Sequence, residues 1–301
     1  MKLGKEDFSG VVAPIVNPCR EDDSLDVPAL EQNLARLLAA DIAGLYINGG
    51  TGDAACLTQE ERLQTAALAV PACLAAQKLA VVHVGQTGQR QAAALAEQAA
   101  LLGAHAVASI PPKKPWPQIA DYYRALAAVG LPVIVYYIPG VTGMTAGMPE
   151  LRGLLGIPGV AGIKVSDWNI FLLRNIVLEY PEKIVYSGFD EMLVPGLLYG
   201  ADGCIGTWAN LLPGLYAKIF ARVRAGQADA VRPAMDAFTA FLAKCWNYGV
   251  LDTFEELMRA KGWAGRCFRR PSGWNPGRVP PDALAALIEE LAALERMAGA
   301  L

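Results

Sequence analysis

Histidine is almost absent from this sequence: 301 residues contain two, His83 and His105. A Ser-His-Asp triad, a histidine-rich metal centre or a histidine general base would each have to use one of them. His83 sits in the apolar run LAVVHVG and His105 in the helix-to-strand link LLGAHAVAS, settings that suit satisfied structural histidines. Proton transfer near neutral pH therefore falls to tyrosine, lysine, a carboxylate or the substrate itself. The six cysteines (Cys19, Cys56, Cys73, Cys204, Cys245, Cys267) are scattered without a CxxC pair, so they read as small buried hydrophobes and no metal site is expected.

Blocks of like charge are missing as well. The net charge is −3, which makes nucleic acid and anionic membrane surfaces unsuitable partners. No run approaches the roughly 18 to 20 apolar residues of a membrane span. The opening MKLGKEDFSG has no apolar signal region, so a cytoplasmic location is expected. What is present in quantity is apolar surface: 53% of residues are hydrophobic and 18% charged, enough for one large core.

The dominant pattern is a short apolar run followed by a segment of helical period. Strands are expected at Gly10–Pro18, Ala43–Gly49, Leu79–Gly85, Ala106–Pro111, Leu131–Pro139, Gly159–Ser166, Lys183–Gly188 and Gly203–Thr207. Most are apolar on both faces, as buried parallel strands are. Helices are expected at Pro28–Ala40, Thr58–Ala69, Gln89–Leu102, Gln118–Ala128, Asn169–Glu179, Glu191–Leu198 and Leu211–Arg224. Thr58 and Glu61 form a capping box, and Gly226 stops the last of these helices. Such alternation predicts an α/β fold, a TIM (β/α)8 barrel over residues 1–226. A doubly wound sheet is the rival, but no glycine-rich dinucleotide turn follows the first strand. Ala228–Trp246, Asp252–Ala260 and Asp282–Met297 read as helices of a C-terminal extension, 227–301, packed on the barrel as one structural unit, with a Gly/Pro/Arg-rich loop Arg269–Pro281 inside it.

Chemistry in such a barrel belongs at the C-terminal ends of the strands. Lys164 stands out there, inside the apolar run GVAGIKVS. An ammonium is costly to bury in that setting, and a neutral amine is what attacks a ketone to form a Schiff base. The bland alternative is a lysine reaching to water or pairing with a carboxylate. Tyr136 and Tyr137 must point to opposite faces of their strand, so one phenol can enter the barrel and shuttle a proton. The turn Asn48–Asp53 offers backbone N–H groups and the Thr51 hydroxyl to a carboxylate, although glycine clusters also simply make turns. Asp190 and Glu191 either bind hydroxyls or provide the acidic first turn of a helix.

Taken in order, GGTGD at Gly49–Asp53, YYIP at Tyr136–Pro139 and GIK at Gly162–Lys164 resemble the class I aldolase superfamily of N-acetylneuraminate lyase and dihydrodipicolinate synthase, over roughly residues 8–265. The resemblance implies catalytic Lys164 and Tyr136, with Gly50, Thr51, Gly52, Ser166, Gly188, Asp190, Glu191 and Thr207 binding substrate. It implies no cofactor and no metal, a covalent Schiff base on Lys164, pyruvate with a sugar-like aldehyde or a 2-keto-3-deoxy sugar acid as partners, and a homotetramer. The lyase branch is favoured because Val141 stands where the synthase branch has an arginine, and because GFDE at Gly188–Glu191 is similar to its polyol-binding motif. Gly50 in place of a hydroxyl residue, Lys113 and Lys114 in place of aromatics, and Tyr137 in place of asparagine depart from the lyases. Alternatives are a keto-deoxy sugar acid dehydratase, a dihydrodipicolinate-synthase-type enzyme and a pyruvate-binding protein without turnover.

Overall fold

A computed structural model describes residues 4–86, 88–270 and 277–301. Eight parallel strands close into a barrel: β1 (Gly10–Pro14), β2 (Gly44–Ile47), β3 (Leu79–His83), β4 (Ala106–Ser109), β5 (Val133–Tyr137), β6 (Val160–Val165), β7 (Ile184–Ser187) and β8 (Gly203–Cys204). Each lies inside its sequence-expected span. Those spans overran by one to four residues at an end, mostly at the C-terminal ends, where apolar character continues into mouth loops that leave the ladder. Closure is made by β8 against β1, with Gly10 opposite Gly203. The helices are α1 (Val27–Leu38), α2 (Gln59–Ala75), α3 (Gln89–Leu101), α4 (Trp116–Ala127), α5 (Pro139–Thr142), α6 (Met148–Leu155), α7 (Ile170–Glu179), α8 (Leu193–Leu198), α9 (Pro213–Arg224), α10 (Ala228–Tyr248), α11 (Val250–Ala260) and α12 (Pro281–Ala300).

The expected helices are present, with three differences. Helix α2 runs through Pro71 to Ala75 rather than ending at Ala69. Helices α5 and α6 were not expected, because Pro139, Gly140, Gly143, Gly147 and Pro149 punctuate that stretch. Both prolines lie in first turns, where the missing N–H costs nothing, and a glycine precedes α6. The segment expected as a helix from Glu191 begins as a short 3-10 turn, Asp190–Met192. Within the expected loop Arg269–Pro281, residues 271–276 lie outside the described residues.

Alternation along the strands divides the apolar residues into two cores. Phe8, Val12, Tyr46, Val81, Ala108, Ile134, Tyr136 and Tyr186 fill the barrel interior. Val11, Leu45, Val82, Val135, Tyr137 and Val165 face outward into the larger core beneath the helices. Tyr136 and Tyr137 are thus separated as the period-two argument requires. Helix α10 packs on α8, α9 and α11, and α12 packs on α9, α10 and α11. Among the described residues, no helix is long and apolar enough to cross a membrane.

One glycine shows how tightly the wall is built. A Cβ on Gly162 of β6 would lie 2.2 Å from the Ile184 carbonyl oxygen on β7. Backbone cannot yield as a flexible side chain can, so Gly162→Ala is expected to destabilise the barrel by about 1–3 kcal/mol or more, measured as a lower urea midpoint.

Candidate active site

At the mouth, the register sets Tyr136 of β5 directly beside Lys164 of β6, and Lys164 beside Tyr186 of β7. Lys164 and Tyr136 are each only 5% exposed. The Lys164 Nζ lies 4.0 Å from the centre of the Tyr136 ring and 5.2 Å from that of Tyr46. No carboxylate among the described residues pairs with this amine; its neighbours are ring faces. Ring faces attract a cation but neutralise no charge. The pairing alternative for Lys164 is therefore not realised.

His83, on β3, packs edge-on to Tyr136 at 6.2 Å between centroids. Its Nε2 accepts a bond from the Ile110 N–H, and burial, with Arg62 and Lys164 nearby, pushes its pKa down to about 3. It is neutral at any physiological pH. His105 also spends a ring nitrogen on backbone, accepting from Ala80 N–H at the opposite end of the barrel wall. Each thus has one ring nitrogen held by backbone.

The turn after β2 is shaped by Asn48, which adopts a left-handed conformation at φ 59° while its amide donates to the Arg62 carbonyl. The Gly52 N–H closes the turn on the Gly49 oxygen at 3.1 Å, and Asp53 N–H closes on Gly50. Gly52 N–H is therefore bonded inside the turn. Among the described residues, nothing accepts such a bond from the N–H groups of Gly50 and Thr51. The Thr51 hydroxyl meets the Thr207 hydroxyl at 2.8 Å, joining the ends of β2 and β8 across the mouth.

Thr207 is in turn held by Asp190. The carboxylate accepts from the Thr207 and Trp208 N–H groups at 3.1 Å each, and from the Tyr216 hydroxyl. The open question about Asp190 and Glu191 is thus divided between them. Asp190 clamps the turn after β8, while Glu191 keeps one oxygen, Oε2, without a partner among the described residues. Burial is the main reason the Asp190 pKa rises to about 6, with the Glu191 charge adding to it against three lowering hydrogen bonds. Ser166, just beyond β6, is buried, with no partner for its hydroxyl among the described residues. A Cβ on Gly188 would lie 2.1 Å from Ser166 Oγ and 2.9 Å from Lys164 Cε, so glycine there leaves the room those two side chains occupy.

Several supporting residues were not singled out from the sequence. Arg62, buried on α2, donates to the His83 and Gly85 carbonyls and holds the loop after β3. Asn17 donates to Gly52 O at 2.6 Å, and Asn210 bridges Pro14 O and Thr207 O. Apart from Thr207 O, their partners are backbone atoms distant in sequence, for which no local motif exists. A cavity of about 550 Å³ opens beside Tyr136, lined by Gly50, Arg62, His83, Lys113, Ile138 and Val141 among others.

Two expectations follow from this geometry. In Gly188→Ala the added methyl should push Lys164 Nζ away from the Tyr136 ring, visible in a crystal structure of the variant, with a stability loss of about 1–3 kcal/mol. For Asp190, the folded protein takes up a proton between the ordinary value of 3.8 and about 6 that the unfolded chain does not hold. Its contribution to stability therefore falls as pH rises through that window and is flat above it. Asp190→Asn should remove that slope from a plot of melting temperature against pH.

The chain matches the Dihydrodipicolinate synthetase family over residues 7–275. It is 32% identical over 291 residues to an N-acetylneuraminate lyase of Rhizobium meliloti, covering 95% of both chains. Over 228 residues it is 31% identical to an N-acetylneuraminate lyase of Escherichia coli, covering 74% of this chain and 76% of that one. A Ruminococcus gnavus sialic acid aldolase shares the fold at a TM-score of 0.90 and 20% identity, covering 97% of this chain and 98% of that one. An N-acetylneuraminate lyase of Fusobacterium nucleatum, solved with pyruvate, does so at 0.85 and 22%, covering 97% of each chain. By its sequence, its closed barrel and the ordered motifs at its mouth, this protein belongs to the dihydrodipicolinate synthetase family.

Proposed function

We propose that the protein is a class I aldolase of the N-acetylneuraminate lyase type, cleaving a 2-keto-3-deoxy sugar acid to pyruvate and an aldehyde, or running the reverse. The observation that carries this reading is the buried Lys164 amine, 4.0 Å from the Tyr136 ring and without a carboxylate partner among the described residues. Relatives named N-acetylneuraminate lyase, 31–32% identical, support it.

The substrate carboxylate docks on the Thr51 hydroxyl and the N–H groups of Gly50 and Thr51, which the turn leaves unbonded. Lys164 adds to the C2 ketone, Tyr136 gives its phenol proton to the departing hydroxyl, and water leaves, giving an iminium beside a tyrosinate. Tyr136 takes the proton from the C4 hydroxyl as the C3–C4 bond breaks; the bonding pair flows into the iminium, and the aldehyde departs. The enamine is protonated at C3, and water hydrolyses the imine to release pyruvate and restore Lys164. The protein's own amine is the electron sink, so the scheme calls on no organic cofactor or metal. Ser166, Thr207 and Glu191 offer hydrogen bonds to a hydroxylated tail. Asp190 acts through Thr207.

A second reading, dehydration of a keto-deoxy sugar acid, is favoured by Gly50 alone. A Cβ there would meet nothing within 4 Å, so the hydroxyl is missing where space would admit it.

Incubation with pyruvate and borohydride should add a reduced pyruvate adduct to wild-type protein, mapped by mass spectrometry to Lys164, and none to Lys164→Met. Tyr136→Phe should still be trapped but turn over roughly 10²–10⁴-fold more slowly. Trapping at any other lysine would overturn the assignment. Pyruvate release from N-acetylneuraminate and other keto-deoxy acids distinguishes cleavage from dehydration, which releases none.

A further inference from the structure

Trp246 projects from the last turn of α10, in the C-terminal extension, yet its indole Nε1–H donates to Glu191 Oε1 at 2.9 Å. Glu191 follows directly on Asp190, the clamp of Thr207, which in turn meets Thr51. A polar chain therefore runs from the carboxylate-binding turn to a tryptophan outside the eight βα units. The indole remains 57% exposed. Two costs coincide here. A carboxylate bond to an indole in open water gains little, because water competes for both groups. A large aromatic face left in water gains nothing at all. Both are offset if a ligand covers the pair: the bond strengthens as water is excluded, and the ring face gains contact.

The neighbouring rim has the same character. Phe189, between Gly188 and Asp190, packs against the exposed Trp168 at 4.9 Å between ring centroids. Exposed aromatic faces beside a carboxylate with one open oxygen suit a ligand that presents hydroxyls on one edge and C–H groups on another.

We infer that Trp246 is a specificity-determining positioning residue. It aims the Glu191 carboxylate at the hydroxyls of a polyhydroxylated substrate tail and covers that tail's C–H edge with its ring. The C-terminal extension thereby completes the substrate end of the site remote from Lys164. This inference rests on the aldolase reading, and its test is arranged so that the two can fail separately.

The test compares cleavage of N-acetylneuraminate, which has a long polyol tail, with cleavage of a short 2-keto-4-hydroxy acid lacking hydroxyls beyond C4. Trp246→Phe keeps the ring but loses the N–H; Trp246→Ala loses both. For the polyol substrate, Trp246→Phe should raise KM by about fivefold with kcat nearly unchanged, and Trp246→Ala should raise it further. The short acid should show no change with either variant. In a Glu191→Ala background Trp246→Phe should add little, since the residue acts through Glu191. Equal effects on both substrates, no effect on either, or a changed oligomeric state accompanied by equal losses would overturn the inference. Borohydride trapping of pyruvate on each variant separates the two readings. Failure to trap on wild-type protein sinks the aldolase reading, whereas normal trapping without discrimination between substrates sinks only the role of Trp246.

Discussion

The structure turns on the burial of one amine that has no counter-ion among the described residues. A closed barrel of apolar strands is an expensive place for a cation, and the usual remedy is a carboxylate within reach. Around Lys164 the chain supplies aromatic rings instead, from Tyr46 on β2 and Tyr136 on β5. His83 beside them is held neutral by its own burial. Space for the lysine side chain exists because Gly188 has none of its own. Each of these choices makes sense around a nucleophilic amine and little sense around a structural ion pair.

A second constraint is that Thr51, Ser166, Glu191 and Thr207 stand beyond the strand ends, where no ladder holds them. The chain uses backbone carbonyls and N–H groups as anchors. Arg62 ties the loop after β3, Asn17 ties Gly52, and Asn210 ties Pro14 to Thr207. Asp190 is the costliest of these anchors, a carboxylate with a raised pKa spent on two backbone N–H groups and a phenol. The return is a Thr207 hydroxyl fixed against Thr51, which makes the last strand and the second strand parts of one site.

Lys164, Tyr136 and Thr51 were legible because each sits in a short motif whose strand context can be read from apolar runs. The strand cores were legible for the same reason. Helices α5 and α6 were not, since prolines and glycines there signal interruption, and only the observed first-turn placement shows that the helix accepts them. The division of labour between Asp190 and Glu191 was equally closed to sequence reading. Adjacent acids look alike until their partners, 17 to 55 residues away, are brought alongside.

Alone, the sequence determined that eight apolar runs alternate with helices, that histidine and cysteine chemistry is scarce, and that a lysine and a tyrosine lie within inner strands. These are consequences of local periodicity and residue type, which need no knowledge of distant neighbours. Tertiary structure alone decided that Gly52 N–H bonds within its own turn, that Asp190 clamps the turn after β8, and that Trp246 reaches Glu191 from a helix outside the eight βα units. Those outcomes depend on barrel closure, which sets β8 beside β1 and brings the ends of β2, β6, β7 and β8 to one mouth; no spacing along the chain encodes which backbone groups are left unpaired when that happens.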